Sequence, residues 1–274
     1  MSRIESGVAA LQQGEFLAGL DPRPDAVLLQ EVRRSIEPLC ESAGLDWYRL
    51  AVDVRLAEPA DTPVRQRGVA IAGRGVEPTA VGIVMEAPLP ERTLHALMQL
   101  DGREVRVATY HAPPGVSWLE RKPQQAVAFA AWLGTSVGPV ILAADANTPL
   151  VDHPDFALTR THWHTGDRHL RGAPGDDCLW AASKTHGLRD ALRRWLDDHP
   201  DDLAAIVRDR PAGPLAISHY TGRRKAHRGT PRRFDSIWVS GDFDVSSVAY
   251  PYEASVAAGS DHSAVVGDLS FVDS

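Results

Sequence analysis

Acidic and histidine side chains recur where apolar stretches of the chain end. Glu31, His111 and Asp145 each follow, within two residues, a short apolar run that is typical of a buried strand. In stacked sheets, strand ends converge at one rim, and the loops beside them supply further contacts. The pattern therefore predicts a chemical site that is assembled from several strand ends.

Asp145 and Asn147 follow one of these runs and lie two residues apart; Asn147 is the only asparagine of the chain. Side chains two apart in an extended segment point the same way. The carboxylate can then position an attacking water while the amide donates a hydrogen bond to a phosphoryl oxygen. The alternative is an Asx-turn that ends the strand, because Asn-Thr-Pro favours turns.

The other candidates have their own chemistry and their own alternatives. His111 can protonate a leaving group or hold a phosphate oxygen, or it is an ordinary hydrogen-bonded histidine at a sheet edge. Asp235 lies inside an apolar strand, where a carboxylate is costly unless paired, and a histidine is its natural partner. Asp261 and His262 suit a metal ligand beside a general base or phosphate clamp. Glu31, taken alone, fits a solvated strand end.

These residues must be positioned by strands and helices that the apolar periodicity indicates. Helices are predicted at residues 7–20 and 118–133. Strands are predicted at residues 26–29, 69–72, 82–86, 105–110, 140–143, 234–239 and 264–271. The 274 residues are enough for a large core, and we interpret residues 1–274 as a single domain.

Composition excludes several classes of protein. The net charge of −7 argues mildly against tight binding of duplex DNA, but a carboxylate-built metal site is itself acidic. No apolar run reaches the length of about eighteen residues typical of a membrane span. The first residues lack a signal pattern, so we expect a cytoplasmic protein without a membrane span. Cys40 and Cys178 show no spacing typical of a zinc site.

A basic segment stands out in this acidic chain. It contains Arg223, Arg224, Lys225 and Arg228, shortly before the Asp235 strand. One hypothesis is a loop that draws a phosphorylated substrate to the site. A solvated surface loop is an equally good interpretation.

Five segments, in order, resemble the motifs of the endonuclease/exonuclease/phosphatase superfamily, which includes deoxyribonuclease I, AP endonucleases, sphingomyelinases and inositol phosphatases. They are Leu29-Gln30-Glu31, Tyr110-His111-Ala112-Pro113, Ala144-Asp145-Ala146-Asn147, Arg233-Phe234-Asp235-Ser236-Ile237 and Ser260-Asp261-His262. Each motif alone is weak, whereas five in order form a specific signal. The resemblance runs from about Asp25 to the C-terminus.

The resemblance implies an α/β (α+β) fold, a four-layer α/β sandwich of two packed mixed β-sheets flanked by helices. Family members normally open with a core strand that carries an asparagine near the phosphate, and the sequence contains no such segment. We therefore expect the N-terminal core strand to be missing. Either the true start lies upstream, which is the interpretation we favour, or the chain has lost part of its site. The family's G-D-F-N appears as Ala144-Asp145-Ala146-Asn147, so the local packing must differ.

The resemblance also implies a metal-dependent hydrolase acting on ester bonds. Glu31 would ligate a divalent ion, Mg²⁺ or Mn²⁺, and Asp261 would lie near the metal or support it. The expected reaction is hydrolysis of a phosphodiester, as in a nuclease, and nucleic acid is one candidate substrate. A phosphomonoesterase or lipid phosphodiesterase on the same scaffold is the alternative. A further alternative is a degenerate, non-catalytic binding protein.

Each remaining motif residue receives a role from the resemblance. Asp145 would orient or deprotonate the attacking water, and Asn147 would hold the phosphate or align Asp145. His262, oriented by Asp235, would act as base or stabilise the pentacovalent phosphorus. His111 would serve the leaving group or bind the phosphate. Metal and imidazolium would together offset the charge that develops on the phosphoryl oxygens.

Overall fold

The structure, a computed structural model, describes residues 7–32, 36–55, 67–113, 120–161, 175–222 and 229–272. The helices are α1 Gly7–Ala18, α2 Glu37–Ala43, α3 Ala51–Val54, α4 Arg121–Gly134, α5 Asp177–Trp180, α6 Ala191–Asp197, α7 Pro200–Asp209 and α8 Tyr252–Ala257. The first strands are β1 Ala26–Val32, β2 Trp47–Leu50, β3 Gly68–Gly73, β4 Ala80–Gly82, β5 Thr93–Leu100, β6 Arg103–His111 and β7 Val140–Asp145. The others are β8 Arg189–Asp190, β9 His219–Thr221, β10 Thr230–Arg232, β11 Asp235–Val239, β12 Phe243–Ala249 and β13 Val266–Phe271.

The described strands form two larger sheets and two small pairs. The six-stranded sheet has the order β4-β5-β6-β7-β11-β8, and the three-stranded sheet has the order β1-β3-β2. The larger sheet is mixed, because β6 and β7 run parallel while its other neighbours run antiparallel. In the smaller sheet the pairs are antiparallel. Strands β9 and β10 form one separate pair, and β12 and β13 form the other.

The two larger sheets pack face to face, and helices cover their outer faces. Buried Ile71 of β3 and Val107 of β6 belong to the apolar layer between the sheets. Leu17 of α1 packs with Leu29 of β1 on the outer side of the smaller sheet. Phe129 of α4 lies in the cluster that covers the outer side of the larger sheet. These four layers, helix, sheet, sheet and helix, are the architecture that the resemblance implied.

The predicted elements agree with the structure at most positions, and two differences have clear physical reasons. The strand predicted at residues 82–86 is wrong beyond Gly82, because the Val84 amide donates to the Thr93 hydroxyl (2.9 Å) and a turn follows. Strand β5 is missing from the sequence prediction. It forms because Asp101 and Gly102, both with positive φ, make the tight turn that pairs it with β6.

Two expectations concern what the chain lacks. Residues 1–6 lie outside the described residues, so the missing N-terminal core strand stays a prediction. Among the described strands, β1 lies at the edge of its sheet and β13 at the edge of its pair. Within the described part of the chain, no helix has the length and hydropathy that crossing a bilayer requires.

Candidate active site

Three neighbouring strands bring three of the predicted residues into one row. In the sheet register, His111 pairs with Asp145 across β6 and β7, and Asp145 pairs with Asp235 across β7 and β11. Directly paired residues point to the same face of a sheet. On this face, Ile141 and Ile237 line the layer between the two sheets. The row therefore lies at one end of the inter-sheet layer.

His262 joins this row through Asp235. Its Nδ1 lies 2.7 Å from the Asp235 carboxylate and 3.9 Å from Oδ2 of Asp145. Its backbone N–H donates to the hydroxyl of Ser260 (3.2 Å), which fixes the loop before β13. Burial works to lower the pKa of His262, but the Asp235 and Asp145 carboxylates outweigh it and raise the pKa to about 9. The same contact holds the pKa of Asp235 below its ordinary value in spite of burial.

Asp145 ends β7 in an Asx-turn, which was the alternative interpretation of this segment. The Asn147 backbone N–H donates to Oδ1 of Asp145 (3.0 Å), and Asn147 has a positive φ of 46°. Its side-chain amide donates to the Ala112 carbonyl (3.1 Å). The two polar side chains therefore do not project in parallel. Burial raises the pKa of Asp145 to about 6, against the lowering effect of His262, and Oδ2 remains directed at His111 and His262.

The proton on His111 can be located from its partner. Nη1 of Arg92 lies 3.0 Å from Nδ1 of His111, and an arginine offers only donors, so Nδ1 accepts. In the neutral ring the proton is then on Nε2, which lies 3.7 Å from both Oε1 of Glu31 and Oδ2 of Asp145. Burial and the Arg92 charge hold the pKa of His111 well below its ordinary range, so the ring is neutral at pH 7. His111 is therefore a hydrogen-bond donor that faces two carboxylates.

Glu31 reaches the site through a β-bulge. Leu29 packs towards the helices, and Gln30 faces the other sheet, where its amide donates to the Thr109 hydroxyl (2.9 Å). Regular alternation would turn Glu31 outward. Instead, the register shifts between Leu29 and Val32, and Glu31 has a positive φ of 54°. Bulges commonly re-aim a side chain beside an active site, and this one directs the Glu31 carboxylate to His111.

Two candidates for holding a metal ion are a group of three residues and the single carboxylate of Glu31. Asp145, Asp235 and His262 are the described group whose ligand atoms lie within 4.8 Å of one another. However, Nδ1 of His262 is already engaged with Asp235 at hydrogen-bond distance. Glu31 fits a hard cation better: its side chain is 20% exposed, and its ion-pair contacts with described residues are at 3.7 and 3.9 Å. Mg²⁺ typically binds one or two carboxylates and keeps several waters.

Comparison with known proteins agrees with this geometry. The sequence profile of the endonuclease/exonuclease/phosphatase family matches residues 8–262. The chain belongs to this family. The family consists of phosphoester-hydrolysing enzymes, and the chain is a hydrolase of this class. No curated protein matches the chain at a significant level.

Three solved structures share the fold of this phosphoesterase at low sequence identity. D. rerio TDP2 complexed with a single-strand DNA product is 12% identical, with a TM-score of 0.60, over 97% of this chain and 94% of that chain. An AP endonuclease from Archaeoglobus fulgidus is 18% identical, with a TM-score of 0.58, over 92% and 90%. ANGEL2, a 2′,3′-cyclic phosphatase in complex with adenosine-2′,3′-vanadate, is 14% identical, with a TM-score of 0.60, over 98% and 88%. These similarities confirm the predicted fold class.

The structure places the predicted site residues as follows. Those brought together are Glu31, His111, Asp145, Asn147, Asp235 and His262. Asp261 precedes His262, and its backbone carbonyl accepts a hydrogen bond from Nδ1 of His219 (3.1 Å). The predicted substrate-binding residues Arg223, Arg224, Lys225 and Arg228 lie outside the described residues.

Two residues at the site were missed by sequence reasoning. Arg92, which contacts His111, is the last residue of the 3-10 turn Pro90–Arg92 and belongs to no recognisable motif. His219 lies with its ring centroid 4.3 Å from that of His262. Burial and the charge of His262 lower the pKa of His219. Both contacts are between segments distant in sequence, so no local pattern marks either residue.

The bulge at Glu31 predicts that a glycine variant at this position is more stable than an alanine variant. A left-handed conformation costs a residue with a Cβ roughly 1–2 kcal/mol, and glycine does not pay this strain. We expect Glu31→Gly to be more stable than Glu31→Ala by about 1 kcal/mol in urea unfolding. At exposed Gln99 of β5, an ordinary strand position, alanine should be the more stable of the same two substitutions. A less stable glycine variant at position 31 would contradict the bulge.

The raised pKa of His262 predicts how the free energy of unfolding depends on pH. Because the pKa of His262 is about 9 in the folded protein and its ordinary value is 6.5, the stabilisation that the protonated ring provides is complete below pH 6.5. It is lost as the pH rises through 9 and is worth at most about 3 kcal/mol. In Asp235→Asn, unfolding free energy should depend less on pH in this window. NMR titration of the metal-free protein measures the pKa directly, and a wild-type value near 6.5 would refute the pairing.

Proposed function

We propose that the chain is a divalent-metal-dependent phosphodiesterase, nuclease-like in chemistry, in which Asp145 positions the attacking water. The observation that best supports this is the placement of Asp145 beside Asp235 in the sheet register, with Nδ1 of His262 3.9 Å from Oδ2 of Asp145. Asp145, with a pKa of about 6, is largely ionised at neutral pH, whereas His262, with a pKa of about 9, is protonated. A base and a cation are thus held side by side, as in-line attack on a phosphoester requires.

Asp145 is the proposed general base. Its Oδ1 is occupied by the Asn147 backbone N–H, so Oδ2 is the oxygen that can orient a water and accept its proton. A pKa near the working pH suits a general base, because the group is ionised yet still basic. Of the two roles open to Asn147, this geometry favours alignment of Asp145. The bond from the water oxygen to phosphorus forms as the bond to the leaving oxygen breaks.

The two histidines are proposed to bind the phosphoryl group. The carboxylate of Asp235 engages Nδ1 of His262, which leaves Nε2 of the imidazolium to donate to a phosphoryl oxygen. Because His262 is already protonated, it stabilises developing charge rather than acting as base. His111 presents Nε2–H in its neutral form. A neutral imidazole is a poor acid but still donates a hydrogen bond from Nε2, which favours phosphate binding over protonation of the leaving group.

Glu31, supported by Asp261, would hold the divalent cation, Mg²⁺ or Mn²⁺. When bound, such an ion supplies a Lewis acid that polarises the phosphoryl oxygen. The bulge at Glu31 supports this assignment, because strained backbone is retained where a side chain must be aimed at a functional site. Oxygen donors also match the preference of both cations.

A phosphodiester is the proposed substrate class, and nucleic acid is the first candidate. The similar fold of TDP2 was solved with a single-strand DNA product, and that of ANGEL2 with adenosine-2′,3′-vanadate. The net charge of −7 makes an extended duplex a poor candidate and a single strand or small diester a better one. We further propose that Arg223, Arg224, Lys225 and Arg228 draw the polyanion to the site. The whole chain, residues 1–274, is proposed to act as one domain in the cytoplasm.

Hydrolysis of an aryl phosphodiester tests the proposal. Wild type should turn over the diester with Mg²⁺ or Mn²⁺ and should lose turnover in a chelator. Asp145→Asn removes the base without changing the side-chain shape, so kcat should fall by about 100-fold or more. Asp155→Asn is a matched control, because exposed Asp155 also accepts a local backbone N–H, from Ala157, and should retain wild-type kcat.

The same assay, extended to an aryl phosphomonoester and single-stranded DNA, separates the alternative functions. Faster turnover of the monoester would make the chain a phosphomonoesterase. If folded wild type turned over none of the substrates with either cation, the catalytic proposal would be wrong, and a degenerate binding protein would remain.

A further inference from the structure

The chain segment Ser218-His219 enters β9 between the two segments that carry Asp235 and His262. Ser218 is fully buried, and its hydroxyl accepts hydrogen bonds from the backbone N–H groups of Phe234 (2.8 Å) and Asp235 (3.1 Å). Its carbonyl accepts the backbone N–H of Ser263 (2.7 Å). One residue thus fixes both the start of β11 and the end of the loop that carries His262.

His219 makes two contacts with the loop that carries His262. Its Nδ1 lies 3.1 Å from the backbone carbonyl oxygen of Asp261, which only accepts, so Nδ1 is the donor. Its ring centroid is 4.3 Å from that of His262, with 31° between the ring planes. The His219 ring also stacks against Phe234 at 5.8 Å. A hydrogen bond and a ring contact therefore act on adjacent residues of one loop.

We propose that His219 is a positioning residue for His262. Its Nδ1–H fixes the Asp261 peptide, and its ring fixes the plane of the His262 imidazolium, so that Nε2 of His262 stays aimed at the phosphoryl oxygen. The assignment rests on the proposed function of His262. A hydrogen bond to Asp235 fixes only one edge of a ring, which can still tilt about that bond. The His219 ring opposes this tilt, because its centroid lies only 4.3 Å from that of the His262 ring.

The kinetic consequence follows from the role of His262 in the transition state. Misplacing a group that donates to the transferring phosphoryl oxygen costs roughly 10- to 100-fold in rate. Loss of an interaction made mainly in the transition state lowers kcat with little effect on KM. We therefore expect His219→Ala to lower kcat for the aryl diester roughly 10- to 100-fold while KM stays within about threefold.

Two further variants separate the hydrogen bond from the ring. His219→Asn keeps an amide donor near the position of Nδ1 and loses the ring. His219→Phe keeps the ring and loses the donor. Each should recover part of the kcat that His219→Ala loses. They also provide folded proteins for the measurement if the alanine variant fails to fold.

His199 is a matched control. Its Nδ1 contacts the Trp195 carbonyl oxygen (2.7 Å), and its ring stacks on Trp195 at 4.2 Å, between α6 and α7. His199→Ala removes the same two kinds of contact outside the row of site residues. It should lower the thermal midpoint about as much as His219→Ala and leave kcat at the wild-type value.

The NMR signal of the His262 Nδ1 proton, in the metal-free protein, tests positioning without turnover. We expect this signal to shift or broaden in His219→Ala, to move back towards wild type in His219→Asn and His219→Phe, and to be unchanged in His199→Ala. The proposal is overturned if the signal is unchanged in all His219 variants, or if kcat stays within about twofold of wild type. Absence of turnover by wild type would refute the proposed function, while the proton signal would still decide the role of His219.

Discussion

The register of β6, β7 and β11 is the constraint on which the rest of the site depends. Asp145 is paired with His111 on one side and with Asp235 on the other, and His262 is reached through Asp235. A slip of one residue would replace Asp145 with Ala144, whose side chain faces the α4 layer. Such a slip is costly because Leu142 and Ala144 are buried on one face of β7 and Ile141 is partly buried on the other, so the packing of the core sets the geometry of the site.

Buried ion pairs hold the start of β11 in place and explain the arginine of its motif. Arg233 donates to Asp152 (2.7 and 3.0 Å) and to Asp190 (2.7 Å), and all three are buried. Tyr250 donates to the backbone carbonyl of Asp235 (3.0 Å). Such pairs contribute little net stability because desolvation offsets their attraction, but breaking one is costly. In this protein, these ion pairs fix the position of Asp235.

The sequence predicted the residues whose signal is local. His111, Asp145 and Asp235 stand at strand ends, His262 precedes a strand, and their motifs occur in order. The fold class followed from the same resemblance. The direction of the Glu31 side chain was not predictable, because regular alternation along the strand turns it outward and a bulge reverses that direction. Arg92 and His219 act through contacts between distant segments, and such contacts leave no periodic pattern.

The proposed mechanism requires Asp145 and His262 to act as one unit on the phosphoester. A double-mutant cycle of Asp145→Asn and His262→Gln, measured as kcat on the aryl diester with Mg²⁺, tests it most directly. Residues that act as a unit are strongly non-additive, so the double variant should be no slower than the slower single variant. If the two losses simply multiplied, the residues would act independently, and the proposed mechanism would be wrong.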